Sequence, residues 1–123
     1  MVPDMLEALG ALDFEKRLAS SAGAAILCLA VAEDPALSAI SLVLQSAGAS
    51  RDWELWWVDP LSERELAQQL GVRALPALWL YIDGDYHADV LAVAGPEALV
   101  RPASLAAAVA RARLGPPMPP PGG

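Results

Sequence analysis

The sequence predicts one α/β domain, a three-layer α/β/α sandwich in which helices cover both faces of a mixed sheet, and three observations support this prediction. The stretch from Ala24 to Val31 is apolar throughout, as is typical of a strand buried on both of its faces. Helix-like and strand-like stretches alternate along the chain, which is the order of parallel βαβ units. The turn Asp83-Gly84-Asp85 separates two further strand-like stretches and predicts a closing antiparallel hairpin.

The elements before the apolar strand are short. Asp13 is a candidate N-cap for a helix from Phe14 to Leu18 that ends near Gly23, because its carboxylate can accept N–H groups left free in the first turn. A short additional strand can form around Leu9 to Leu12. The apolar strand then follows, and helices are expected to cover both of its faces.

The second helix is predicted to begin at the acidic segment Glu33-Asp34-Pro35. Asp34 is its expected N-cap and Pro35 its first helical residue, a position where the missing N–H of proline costs nothing. Apolar side chains at helical spacing would then line one face as far as Gly48: Leu37, Ile40, Val43 and Leu44.

A second strand is predicted from Trp53 to Val58, followed by a helix that begins at Ser62 or Glu63 and runs through Leu70 to the stop at Gly71. Alternation along the strands predicts that most tryptophans lie in the core. The exceptions are expected at Trp53 or Trp56, and an exposed tryptophan beside Pro76 would mark a peptide groove.

The last strands and helix follow the same logic. Ala77 to Ile82 is an apolar strand, and its hairpin partner is predicted from Tyr86 to Ala94. A final helix, capped by Ser104, is predicted from Leu105 to Leu114. We therefore expect a domain over residues 1–114 and an extended, mobile tail over 115–123, which is almost entirely proline and glycine.

Composition restricts the function. The formal net charge of −7 disfavours nucleic acid and anionic membranes as partners, and the longest apolar run, residues 22–32, is too short to cross a bilayer. With no basic residue before an apolar stretch at Met1 to Met5, we expect no export signal and a cytoplasmic location. With one cysteine, Cys28, no intrachain disulfide can form.

The segment from Gly71 to Asp85 resembles the part of thioredoxins that contains the cis-proline, its strand and the following glycine turn. The likeness in layout extends from about Leu12 to Leu114. It implies a thioredoxin-like fold and a cis Leu75-Pro76 peptide beside the start of the second helix. In thioredoxins the backbone before that proline pairs with an extended substrate, which here implies a role for Ala74 and Leu75.

Departures from the thioredoxin pattern imply a different use of the scaffold. By position, Glu33-Asp34-Pro35-Ala36 replaces the Cys-x-x-Cys motif, so the proline is retained and both sulfurs are absent. The buried acid of thioredoxins falls on Leu27, and the tryptophan before the first cysteine falls on Ala32. Thiol exchange cannot occur at such a site.

Within this class the chain is similar to the hydrogenase expression proteins of the HyaE type. The likeness lies in the missing dithiol, the acidic Asp-Pro segment, and the turn Gly84-Asp85-Tyr86 after the proline strand. The stretch from Pro96 to Pro102 departs from that family. The resemblance implies a chaperone for a hydrogenase small subunit and its twin-arginine export signal.

The predicted partner surface comprises Glu33, Asp34, Pro35, Ala74, Leu75 and Pro76. We name it the acidic–proline surface. Carboxylates at a helix start can be simple caps, or they can repel anions and attract an arginine-bearing peptide. The sequence leaves both interpretations open.

The sequence gives weaker support for a reactive thiol, a cation site or an enzyme active site. Cys28 is expected to be a buried, inert thiol, and a monothiol enzyme is the alternative. Asp85, His87 and Asp89 alternate along a strand, so all three are expected to point to one face, where they could hold a divalent cation; charges also protect edge strands from pairing. With one histidine and no Gly-rich phosphate loop, we expect no cofactor and no enzyme. The competing hypothesis is a structural subunit of a larger complex, and the oligomeric state is left open.

Overall fold

The computed structural model describes residues 6–49 and 51–121, and it shows a five-stranded sheet between helices. The elements in chain order are β1 (Glu7–Ala8), α1 (Ala11–Ser20), β2 (Ala24–Leu29), α2 (Leu37–Gly48), β3 (Glu54–Val58), α3 (Arg64–Leu70), β4 (Ala77–Ile82), β5 (Asp85–Asp89), α4 (Val90–Ala94), a 3-10 helix (Pro96–Leu99) and α5 (Pro102–Leu114).

The sheet is mixed, as predicted. Its strand order is β1-β3-β2-β4-β5; β3 runs parallel to β1 and β2, whereas β4 runs antiparallel to β2 and β5. The parallel β1–β3 and β2–β3 pairs are each joined through a helix, and a two-residue turn makes the β4–β5 pair antiparallel. The β2–β4 pair is also antiparallel, although α2, β3 and α3 separate these strands in the chain. The predicted three-layer α/β/α fold class is confirmed.

β2 lies at the centre and is buried on both faces. Ile26 and Cys28 pack in the core formed with α2 and α5, whereas Leu27 and Leu29 pack in the core that includes Phe14 of α1. All six residues of β2 are buried. The continuous apolar run is therefore a strand covered from both sides, as predicted.

Three predicted boundaries are wrong. Asp13 lies in the first turn of α1, and the N-cap of that helix is Gly10. Ser104 lies inside α5, which begins at Pro102, a residue whose fixed φ suits the first helical position. The short first strand is Glu7–Ala8, so it precedes the predicted stretch from Leu9 to Leu12.

The predicted strand from Tyr86 to Ala94 is correct only in its first half. β5 ends at Asp89, whose carboxylate accepts the N–H groups of Leu91 and Ala92 at 3.0 and 3.2 Å. Asp89 is thus the N-cap of α4, and its side chain satisfies two amides that a helix start leaves free. An apolar stretch of this length fits a strand or a helix, and the capping bonds decide the outcome.

The tryptophans are mostly core residues. Of the two expected exceptions, Trp53 or Trp56, the second is not one, because Trp56 is fully buried and packs edge-on against Phe14. Trp57 is also buried, and its indole N–H donates to the carbonyl oxygen of Ala30 at 2.9 Å. Trp53 is partly exposed and lies under the guanidinium of Arg51.

Within the described residues, no helix is both long enough and apolar enough to span a membrane.

Candidate functional site: the acidic–proline surface

Two loops leave the same end of the sheet. The β2–β4 register pairs Leu29 with Ala77, so the loop after β2 and the loop before β4 are neighbours. The first loop carries Glu33, Asp34 and Pro35; the second ends at Pro76. The antiparallel β2–β4 pair therefore positions the two halves of the predicted surface together, although no hydrogen bond or ion pair joins them among the described residues.

The acidic loop consists of two consecutive turns. The N–H of Asp34 donates to the carbonyl oxygen of Val31, and the N–H of Leu37 donates to that of Asp34, both at 3.0 Å. Aspartate first and proline second are favourable residues for the second turn. The Asp34 carboxylate also accepts the N–H of Ala36 at 2.8 Å.

The prediction that Asp34 caps α2 needs correction. The N-cap is Ala36, which has helical dihedral angles and receives no side-chain cap, and Pro35 lies in the turn before the helix. The Asp34 side chain satisfies an N–H inside the turn instead, which is the usual behaviour of an Asx turn. Glu33 is exposed and Asp34 partly exposed, so carboxylate oxygens remain accessible to a partner.

The proline loop has the predicted backbone conformation. The Leu75-Pro76 peptide bond is cis. Ala74 and Leu75 are exposed, with 44% of Leu75 accessible, whereas Pro76 is partly buried. An exposed loop that carries an apolar side chain suits an extended peptide.

A cavity of about 200 Å³ lies beside the proline loop. Its walls include Ala74, Pro76, Trp79, Leu91 and Pro121. The sequence interpretation missed the last two residues. Leu91 reaches the cavity because Asp89 starts α4 there, and an Asp before an apolar run that ends at a glycine is the signal that predicts such a helix.

Cys28 is buried, as predicted, and it lies in β2 with none of its surface accessible. Burial, with a smaller contribution from the negative charge of Asp34, raises the pKa of the thiol to about 12. Both causes disfavour the thiolate, which is the reactive form. The residue is therefore a packing element of the core.

We predict that Cys28 in the native protein reacts with an aromatic disulfide reagent at pH 8 far more slowly than in guanidinium. The physical reason is twofold: the thiol is inaccessible and almost wholly protonated. Absorbance of the released thiolate follows both reactions. Equal rates in the two solutions would show that Cys28 is exposed and would restore the monothiol alternative.

Asp85, His87 and Asp89 do not share one face, contrary to the prediction. A bulge shifts the β4–β5 register, so Asp85 pairs with Ile82 on the α2/α5 side while Asp89 pairs with Trp79 on the other side. His87 is buried, with Nε2 2.7 Å from the carbonyl oxygen of Ala112. Among the described residues, no group of acids, cysteine and histidine is placed to hold a metal ion.

Comparison with known proteins supports the fold but gives no information on function. No family model matches the chain, and no curated protein matches it. Two similar solved structures are human ERp44 in its zinc-bound form, with a TM-score of 0.68, and a mutant thioredoxin from Halobacterium salinarum, with a TM-score of 0.61. The chain has a thioredoxin-like fold.

The similarity is structural, because the identities are only 14% to ERp44 and 17% to the thioredoxin. The match covers 86% of this chain and 30% of the ERp44 chain, so this chain spans under a third of that protein. For the thioredoxin it covers 72% of this chain and 79% of the other. At such identities the function has to be argued from the site.

Proposed function

We propose that this protein is a redox-inactive binding module or assembly chaperone that holds a protein or peptide at the acidic–proline surface. The observation that carries the proposal is the placement of an acidic turn and a cis-proline loop at one end of the sheet. By resemblance, the acidic turn takes the place of the thioredoxin dithiol. The single thiol of the sequence is buried in β2. The surface therefore supports recognition and offers no sulfur for exchange.

An arginine-bearing peptide is the proposed ligand class. Glu33 and Asp34 present carboxylates that accept paired N–H donors from a guanidinium in a fixed geometry. Arg73 is exposed beside Ala74, and its positive charge would repel the partner's arginines there. We therefore expect the arginines at the acidic turn and the extended main chain of the partner at the proline loop. A twin-arginine export signal has this character, and a hydrogenase small subunit is the proposed client.

The test is a titration with a synthetic peptide that contains two adjacent arginines and an apolar flank. We expect saturable binding that weakens as salt is raised, because exposed charge pairs are screened. The matched control is the same peptide with both arginines replaced by glutamine, which should bind at least about tenfold more weakly, in line with about 1 kcal/mol for each charge contact. Equal binding of the two peptides would contradict the proposal.

A structural subunit of a larger complex is the second candidate. Several large apolar side chains are exposed: Leu12, Leu42, Val100 and Leu114. Neighbouring subunits could cover them. A protein that is monomeric by light scattering across the micromolar range would disfavour this role, whereas a stable oligomer would favour it.

A further inference from the structure

We infer that the cavity beside Pro76 is a binding site for extended proline-rich segments, and that the C-terminal segment from Pro116 to Pro121 is its intramolecular ligand. The segment leaves α5 at Gly115, whose N–H donates to the carbonyl oxygens of Arg111 and Ala112. It then meets β5 at His87, and Pro121 forms part of the cavity wall.

One hydrogen bond fixes the segment to the sheet. The Met118 N–H donates to the carbonyl oxygen of His87 at 2.9 Å. Every residue from 116 to 121 other than Met118 is proline, so this stretch has only one main-chain N–H, and that group makes the bond. The segment thus uses its whole donor capacity on β5.

The acceptor is available because of the fold. β5 is the last strand of the sheet, and the bulge in the β4–β5 pair leaves His87 without a partner in the register. The His87 ring contacts α5 through Ala112, which fixes the position of the residue. A sheet edge with a carbonyl group directed outward is a site for strand addition.

The cavity suits proline. Trp79, Leu91 and Pro76 give it apolar and aromatic walls, and Ala74 and Ala77 leave room between them. Proline-rich segments favour the extended polyproline helix before binding, so they lose little conformational entropy in aromatic-lined grooves. The mobility predicted for residues 115–123 stays a prediction. Residues 116–120 are exposed, and the segment meets the domain at two points, the Met118 N–H and Pro121.

The cavity shares Ala74 and Pro76 with the acidic–proline surface, and Pro121 lines the same cavity, so a partner that enters it from the proline loop is expected to compete with the segment. The inference is nevertheless separate from the proposed function. A twin-arginine peptide that fails to bind leaves the Met118–His87 bond unaffected, and loss of that bond leaves the acidic turn intact.

The first test is hydrogen exchange at the Met118 amide of the full chain, followed by NMR. We expect exchange at least about tenfold slower than in the free peptide Gly-Pro-Pro-Met-Pro-Pro-Pro, because a hydrogen-bonded amide exchanges only when the segment detaches. Pro121→Gly removes the ring from the cavity and should reduce the protection. Exchange at the rate of the free peptide would overturn the inference.

The second test supplies the ligand from outside. A chain that ends at Gly115 retains the hydrogen bonds at the end of α5, and its melting temperature verifies folding. Fluorescein-labelled Pro-Pro-Met-Pro-Pro-Pro should bind this shortened chain at least about tenfold more tightly than the full chain, where the tethered segment competes at about millimolar effective concentration. Labelled hexaproline, which lacks the Met118 donor, should bind more weakly. Equal affinity for both chains, or no binding to the shortened one at about 5 mM peptide, would overturn the inference.

Discussion

Lysine at both Glu33 and Asp34 is expected to weaken binding of a twin-arginine peptide by about 30-fold at low salt. Each substitution replaces an attraction with a repulsion, and exposed charge pairs contribute about 0.2–1 kcal/mol apiece, so two reversals change the binding free energy by about 2 kcal/mol. Glu33 is exposed and Asp34 partly exposed, which keeps the effect in this range. Isothermal titration of the double variant measures it.

Two controls separate charge from folding. Glu33→Gln with Asp34→Asn keeps an oxygen that can accept the Ala36 N–H, so the turn is retained and an intermediate affinity is expected. Asp52→Lys with Asp85→Lys makes the same change in net charge at the other end of the sheet, where β3 and β5 begin. Affinity unchanged in the acidic-turn variant, or lowered equally in the distant one, would contradict the assigned site.

Alanine at Gly84 is expected to destabilise the fold by about 3 kcal/mol or more. A Cβ on Gly84 would lie 2.1 Å from the carbonyl oxygen of Leu18, and the φ of Gly84 is +85°, where L-residues are strained. The strain costs about 1–2 kcal/mol, and relieving the overlap requires movement of the α1 backbone, for which overpacking costs about 1–3 kcal/mol. Urea unfolding gives the difference in the free energy of unfolding.

Gly23 supplies a matched control for this prediction. Its φ is +79°, but a Cβ there has nothing within 4 Å, so Gly23→Ala adds strain without an overlap. We expect it to cost about 1–2 kcal/mol. If the two variants lose the same stability, the close approach of Gly84 to α1 has no energetic role.

The elements that were predictable are those with a local chemical cause. The apolar run of β2 requires cover on both faces, which determines the three-layer architecture and the burial of Cys28. The turn at Gly84 follows from the need for a residue tolerant of positive φ. The cis conformation before Pro76 followed from resemblance and could not be derived from the residues alone.

The features that were not predicted depend on contacts between residues distant in sequence, or on segments that fit two kinds of secondary structure equally well. Asp89 can continue a strand or cap a helix, and only the amides of α4 decide between them. Trp56 is buried because Phe14 and Tyr81 pack around it, which alternation within β3 cannot show. The bulge at His87 shifts the alternation of β5 side chains between the two faces by one residue, and no residue in the sequence indicates this bulge.

The sequence suggests which residues make up the acidic–proline surface, but it does not give their full arrangement in space. The sequence places acids before α2 and a proline before β4, and the β2–β4 register brings the two loops to one end of the sheet. The neighbouring cavity also needs Leu91 and Pro121, whose positions depend on the capping of α4 and on the bond from Met118 to β5.

The measurement that tests the central claim most directly is recovery of the tagged protein from the cells that produce it, with mass spectrometry of bound proteins and the Glu33→Lys, Asp34→Lys variant in parallel. The account predicts that a hydrogenase small-subunit precursor with its twin-arginine signal accompanies the native protein and is lost with the variant. A stable set of unrelated subunits retained by both proteins would contradict the chaperone proposal and favour a structural role.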